Sequence, residues 1–177
     1  LSWRVMETLR MIAGKDNVEV YSVDEAFIDL PEMTGQEAAA YALYIRETVE
    51  TWTGISVSVG IAPSKTLAKA ANYIAKKNKQ HTQGVYVIVS EEEQYRALSS
   101  IRVTHLWGVG RAYADKLINM GITSAWELRN MSPEWAYRQL GGVVGLRLIK
   151  ELRGIPCIAM KEPPETKRMI ASTRMFG

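Results

Sequence analysis

Two neighbouring carboxylates, Asp24 and Glu25, interrupt the otherwise apolar stretch YSVDEAFIDL at positions 21–30. In a continuous strand their side chains would leave on opposite faces, whereas at a hairpin tip or a kink both can lean towards one site. A carboxylate beside apolar residues is costly unless it is solvated, paired or bound to metal. Mg2+ suits such a pair, because it takes one or two carboxylates and completes its octahedron with water and phosphate oxygens. Two such ions about 4 Å apart can activate an attacking oxygen and stabilise a leaving one in phosphoryl transfer. An exposed turn, where Asp and Glu are commonplace, also accounts for the dipeptide.

A second set of chemically useful residues lies in SKTLAKAANYIAKK, positions 64–77. Lys65, Lys69 and Lys76 are four and seven residues apart, which keeps them within one stripe of a helix. Leu67, Ala70, Ala71 and Ile74 fill the opposite side and suit packing on a sheet. Facing the acidic pair, such lysines would hold a triphosphate as flexible point charges. With no partner they are simply a solvated helix face, although lysines without acids four residues away repel one another.

The third is LWGVGRAYADKLINMGITSAWEL, positions 106–128. Gly108-Val109-Gly110, then Ala114, Leu117 and Gly121-Ile122, outline a helix-hairpin-helix. The glycines allow a tight hairpin and close approach of its backbone to a partner. Amides at the start of the helix near Arg111 could bind a DNA phosphate, with Arg111 and Lys116 adding charge. Contacts of this kind position a duplex without reading its bases, and they weaken with salt. A looser second copy is suggested in 140–154, with Gly142 and Gly145 at the turn and Arg147 and Lys150 after it. A plain corner between helices is the alternative for both copies.

The elements that must position these residues follow from the pattern of apolar residues. Residues 2–13 have a helical rhythm, NVEVYS and EAFIDL alternate as strands, and VDE forms a reversal or kink between them. Thr34 and Glu37 make a capping box for a helix that ends at Gly54. ISVSVGIA reads as a strand, Ser64 as the cap of the lysine helix, VYVIV as a further strand and EEEQYRALSS as a short helix. This is an α/β arrangement, a small sheet covered by helices. From about Ile101 strand signals fade, and short helical segments are punctuated by glycine and proline, so a boundary is expected near 99–103. KEPPETKR, 161–168, reads as a linker.

At 177 residues, with 47% apolar and 23% charged residues, the chain has the composition of an ordinary globular protein. No apolar run approaches the roughly 18 residues of a membrane span, and no secretory signal opens the chain. The single cysteine, Cys157, excludes an internal disulfide, fits a reducing cytosol and reads as a small buried apolar residue. Net charge is +3, but residues 1–60 hold four basic and ten acidic groups, residues 64–82 five lysines and no acid, and residues 101–160 eight basic and four acidic groups. Cation chemistry in one place and a polyanion in another are the natural reading. Leu1 and the closing STRMFG suggest a piece of a longer protein.

In this order the motifs resemble those of Y-family translesion DNA polymerases of the UmuC type, the ImpB/MucB/SamB group. YSVDEAF is similar to the catalytic palm motif, VGIAPSKTLAKAAN with AKK to the second palm signature, and LWGVGRAYADKL to the thumb hairpin. ELRGIPC and STRMFG are similar to segments that follow the thumb. The resemblance implies that residues 1–100 are the C-terminal part of a palm, 101–160 a small all-α thumb, and 161–177 a linker towards an absent little-finger domain. Asp24 and Glu25 would hold two catalytic Mg2+ ions, with Glu25 nearest the primer 3′-oxygen. Lys76 would touch the triphosphate of the incoming dNTP, with Lys65, Lys69 and Ser22 as further candidates for phosphate or nearby DNA. Gly108, Val109, Gly110, Arg111 and Lys116 would meet the primer–template backbone. Lys77 stands where many relatives have proline. The palm motif with a third carboxylate and the sugar-screening aromatic, and the fingers, are expected upstream of Leu1, so this piece alone should not extend primers. The full protein would act in the bacterial cytoplasm at the nucleoid, with a sliding clamp, a UmuD-type subunit and RecA. A non-enzymatic helix-hairpin-helix module on an α/β scaffold is the competing reading; a palm-like nucleotidyl cyclase is disfavoured by the glycine hairpin.

Overall fold

Strands with apolar residues on both faces need cover on both sides, and here each face of one sheet receives its own helices. The computed structural model describes residues 2–158 and 168–176. Helix α1 (Ser2–Ala13) buries Val5, Met6 and Leu9. The hairpin β1 (Val18–Ser22) and β2 (Glu25–Pro31) follows, then α2 (Gly35–Thr53). The expected capping box is present: Thr34 Oγ1 accepts from the Glu37 amide, Glu37 accepts from the Thr34 amide, and α2 stops at Gly54 with φ 73°. Next come β3 (Val57–Ala62), α3 (Lys65–Lys77) capped by Ser64, α4 (Lys79–Thr82), β4 (Val85–Val87) and α5 (Glu91–Ser99). A 3-10 turn at Val103–His105 leads into α6 (Arg111–Asn119), α7 (Ala125–Arg129), α8 (Pro133–Gln139) and α9 (Val143–Leu152).

The α/β reading holds, with one addition that the sequence did not announce. Arg168–Met175 form a fifth strand, β5, in the middle of the sheet, whose order is β1-β2-β5-β3-β4. The expectation had placed 161–177 in a linker. For 168–175 that is corrected, because the segment pairs antiparallel with both β2 and β3 and buries Met169, Ile170 and Ala171. The rest of the expected linker, 161–167, lies outside the described residues. β4 is also shorter than VYVIV suggested: the Val89 and Ser90 amides turn to the Glu93 carboxylate, 3.2 and 2.9 Å away, and leave the ladder for the cap of α5.

Strand alternation sorts the core in two. Ala26, Ile28, Leu30, Val57, Val59, Ile61 and Ala171 face α1 and α2. Phe27, Ala62 and Ile170 face α3, and the same apolar cluster continues without a break through α5 into α6–α9. Gly60 is where α3 sits on the sheet. A β-carbon there would stand 2.2 Å from Asn72 N and 2.5 Å from Ala68 O, both helix backbone, so the site admits no side chain. Asn72 is fastened beneath: Ser58 Oγ donates to its Oδ1 (2.7 Å), and its Nδ2 donates to the Ser172 carbonyl (2.6 Å). The start of α3 is tied to α9 by Glu151, fully buried, which accepts the amides of Thr66 (3.0 Å), Cys157 (2.6 Å) and Ile158 (3.2 Å). Cys157 itself is half-buried, and burial together with the Glu151 carboxylate pushes its thiol pKa up, which disfavours the thiolate.

Candidate active site

The turn Val23-Asp24 joins β1 to β2, and the hairpin is not regular. Val20 pairs with Ala26 and Ser22 with Glu25, which leaves Tyr21 as an extra residue in a bulge. Glu19, Phe27 and Glu25 share the face that looks at α3, and Ser22 joins them because it stands opposite Glu25. The bulge therefore resolves the question raised by the adjacent acids. Ser22 Oγ lies 3.0 Å from Asp24 Oδ1 and 3.1 Å from Glu25 Oε2, so both carboxylates converge on one hydroxyl.

Cations close the site from two sides. Glu25 is ion-paired with Lys69 of α3, both side chains largely buried. Asp24 Oδ2 lies 4.0 Å from Arg174 Nε, an arginine delivered by β5, whose Met175 amide also donates to the Asp24 carbonyl at 3.0 Å. Lys65 is buried, donates to Glu19 at 2.9 Å and stands 4.9 Å above the Phe27 ring. Lys76, half-buried at the far end of α3, lies 5.9 Å from the Phe176 ring centre. The three lysines thus divide: Lys69 and Lys76 border a cleft of about 790 Å³, and Lys65 is packed beneath the hairpin.

The far wall of that cleft is the glycine hairpin, Gly108, Val109 and Gly110. Gly108 has φ 95°, a conformation that side chains resist, and it turns the chain into α6. Gly110 caps α6 without a side-chain bond, so the first amides of the helix are left to partners outside it. Arg111 is exposed beside them; Lys116 is exposed and donates to the Gln139 carbonyl at 2.8 Å. The first helix of this pair is only the 3-10 turn at Val103–His105, whereas the looser copy expected in 140–154 borrows α8 from before it and turns into α9 at Gly141-Gly142. Gly145 lies within α9, not at the turn, where a β-carbon would stand 2.4 Å from the Ala136 carbonyl oxygen. Four participants escaped sequence reasoning: Tyr21, Arg174, Glu19 and Trp107. Tyr21 needed the bulge, Arg174 needed β5, Glu19 needed the packing of Lys65 beneath the hairpin, and Trp107 needed the contact of the hairpin with the cleft wall.

The donor chemistry fits a hard cation in part. Asp24 and Glu25 offer two carboxylates on one side of a turn, the share of an Mg2+ octahedron that protein usually supplies. Both are ion-paired, so a divalent ion would exchange with Lys69 and Arg174 for them. Among the described residues no group of three or more His, Cys, Asp or Glu could hold a metal, and no helix is long and apolar enough to cross a membrane.

A mixed sheet carrying a carboxylate hairpin, backed by a lysine helix and followed by glycine-hinged helices, defines a class. Residues 1–73 match the model of the impB/mucB/samB family. Across 178 aligned residues the chain is 41% identical to Protein UmuC of Salmonella typhimurium, using all of this chain and 42% of that protein. It is 37% identical over 142 residues to a DNA polymerase IV of Pseudomonas syringae, covering 79% of this chain and 38% of the relative. Among solved structures, an insertion ternary complex of Dbh DNA polymerase superposes with TM-score 0.68 at 27% identity, over 87% of this chain and 43% of that one. The crystal structure of DinB from Sulfolobus solfataricus gives 0.65 at 29%, over 86% and 43%. The chain spans less than half the length of the relatives it matches. The UmuC-type resemblance is borne out.

Proposed function

We propose that this chain is the part of an error-prone, template-directed DNA polymerase that carries two catalytic carboxylates and a duplex-gripping hairpin, and that the whole protein adds nucleotides past damaged bases. One observation carries this reading: Asp24 and Glu25 converge on Ser22 Oγ, on the sheet face that looks at α3. In this reading residues 1–100 are palm and 101–160 thumb. Glu25, ion-paired with Lys69 of the cleft wall, orients the primer 3′-hydroxyl, and Asp24 flanks it. Lys69, exchanged from Glu25, and Lys76 face the triphosphate of the incoming dNTP and balance its charge. Lys65, buried and paired with Glu19, contributes to that field and seats α3 under the hairpin. Bound Mg2+ would be held by Asp24 and Glu25 and would supply charge stabilisation at the phosphoryl oxygens and a more acidic hydroxyl. Gly108, Val109 and Gly110, with Arg111 and Lys116, hold the duplex backbone through amides and charge. The same resemblance supports a bacterial, cytoplasmic, nucleoid-associated protein that works with a sliding clamp, a UmuD-type subunit and RecA.

The test uses the full-length protein. Asp24→Asn and Glu25→Gln are each expected to lower primer extension by ~10³-fold or more, about 4 kcal/mol of transition-state stabilisation. Primer–template affinity, dominated by phosphate contacts, should stay within about threefold. Extension retained within about tenfold would make the acidic pair an ordinary turn and leave a non-enzymatic DNA-binding module.

A further inference from the structure

The carboxylate hairpin and the glycine hairpin touch through three aromatic rings. Trp107, the residue before Gly108, lies edge-on to Tyr21 with ring centres 5.8 Å apart and an interplanar angle of 83°. It lies 5.8 Å from Phe27, tilted at 53°, and Tyr21 and Phe27 are 5.6 Å apart. The Trp107 indole Nε1–H donates to the Tyr21 hydroxyl at 3.1 Å. Tyr21 is the bulge residue three positions before Asp24, and Phe27 follows Glu25 by two. Lys69, the partner of Glu25, has its ammonium 5.5 Å from the centre of the Tyr21 ring.

This triad does more than fill a core. Phe27 is buried, but Tyr21 is 47% exposed and Trp107 is half-exposed, so neither ring is enclosed by the apolar cluster behind them. What the two rings do share is geometry: an edge-to-face pair with a directed hydrogen bond fixes both distance and angle. Two legs of the triad stand on the strands that carry the acids, and the third stands on the loop that opens α6.

We propose that Trp107 is a positioning residue for nucleotidyl transfer, acting through Tyr21 to set the distance between a strand held at the glycine hairpin and the carboxylate turn. The inference rests on the polymerase reading above. A strand gripped at Gly108–Gly110 but free to shift by 1 Å relative to Glu25 would bind nearly as well and react far more slowly, since such a misplacement can cost about 10²-fold. Loss of Trp107 therefore separates rate from affinity.

The experiment is single-turnover primer extension by the full-length protein at saturating primer–template and dNTP, with primer–template affinity measured in parallel. Trp107→Ala is expected to slow incorporation about 30- to 100-fold while affinity changes less than about threefold. Tyr21→Phe keeps ring packing and removes only the hydrogen bond, whereas Trp107→Phe removes the hydrogen bond and part of the ring. Each should slow incorporation about three- to tenfold, and the double variant should be no slower than Trp107→Phe alone, the mark of a shared interaction. Trp107→Ala within twofold of wild type in rate would overturn the proposal. So would equal losses of rate and affinity, which would make Trp107 a DNA contact or scaffold, and so would a double variant whose losses multiply. Glu25→Gln runs beside these: extension like wild type there would sink the polymerase reading and this inference with it, whereas loss of extension there with a normal Trp107→Ala sinks this inference alone.

Discussion

Gly60→Ala adds one carbon and two hydrogens, and the structure says it should be among the most damaging small changes in the chain. The new β-carbon would stand 2.2 Å from Asn72 N, 2.5 Å from Ala68 O and 2.7 Å from Ala71 C. Comfortable carbon contacts lie near 3.5–4.0 Å, and all three obstacles are helix backbone, so α3 must retreat from β3 by roughly 1 Å. A retreat of that size takes Asn72 away from Ser58 and the Ser172 carbonyl, now 2.7 and 2.6 Å from its side chain. Overpacking costs about 1–3 kcal/mol, and a stranded buried polar group about 1–3 more. The expected loss is about 3–5 kcal/mol out of the 5–15 kcal/mol typical of a folded domain. In a chain of this size that lowers Tm by about 8–15 °C, measurable by thermal or urea unfolding monitored by circular dichroism. Gly35→Ala is the matched control. It begins α2, its nearest obstacle is Val89 Cγ2 at 3.9 Å, and removing glycine there should stabilise by about 0.4–1 kcal/mol. A Gly60→Ala protein within about 1 kcal/mol of wild type would refute the direct seating of α3 on β3.

Two further outcomes follow from buried and capping carboxylates. Glu37 accepts the Thr34 amide at 3.0 Å, and the bonds of that capping box hold its carboxyl pKa below its ordinary value. A lowered folded value means stability present at neutral pH and lost as pH falls through it. The gap in urea midpoint between wild type and Glu37→Gln should thus be steady above about pH 6 and close towards pH 3; a gap unchanged at pH 3 would contradict this. Glu151→Gln points an amide N–H2 at backbone N–H groups that the carboxylate now accepts, and should cost about 1–3 kcal/mol in urea unfolding; a neutral result would mean that the tie between α3 and α9 carries little.

What the sequence disclosed was local. The Thr34 and Ser64 caps, the stop at Gly54, the lysine helix and the glycine hairpin all depend on residues within a few positions of one another, and propensity and spacing register such features. The convergence of Asp24 and Glu25 was open, because strand and turn predict opposite geometries and only the bulge at Tyr21 decides between them. Lys65 shows the limit of periodicity: it shares a stripe with Lys69 and Lys76, yet Glu19 on a neighbouring strand draws it under the hairpin. β5 and Arg174 were unreadable because pairing between Asp29 and Arg168 spans 139 positions, and no window of local pattern reaches that far. Trp107 and Tyr21 looked like isolated aromatics until the two hairpins met.

The central place of β5 also shapes how this chain can fold. Its ladder joins residues 25–31 and 57–62 to residues 168–175, so the sheet cannot close until residue 175 has left the ribosome, more than a hundred positions after β3. Contacts so remote in sequence slow the search for the native state. Until then β2 and β3 present unpaired edges that invite aggregation or chaperone capture.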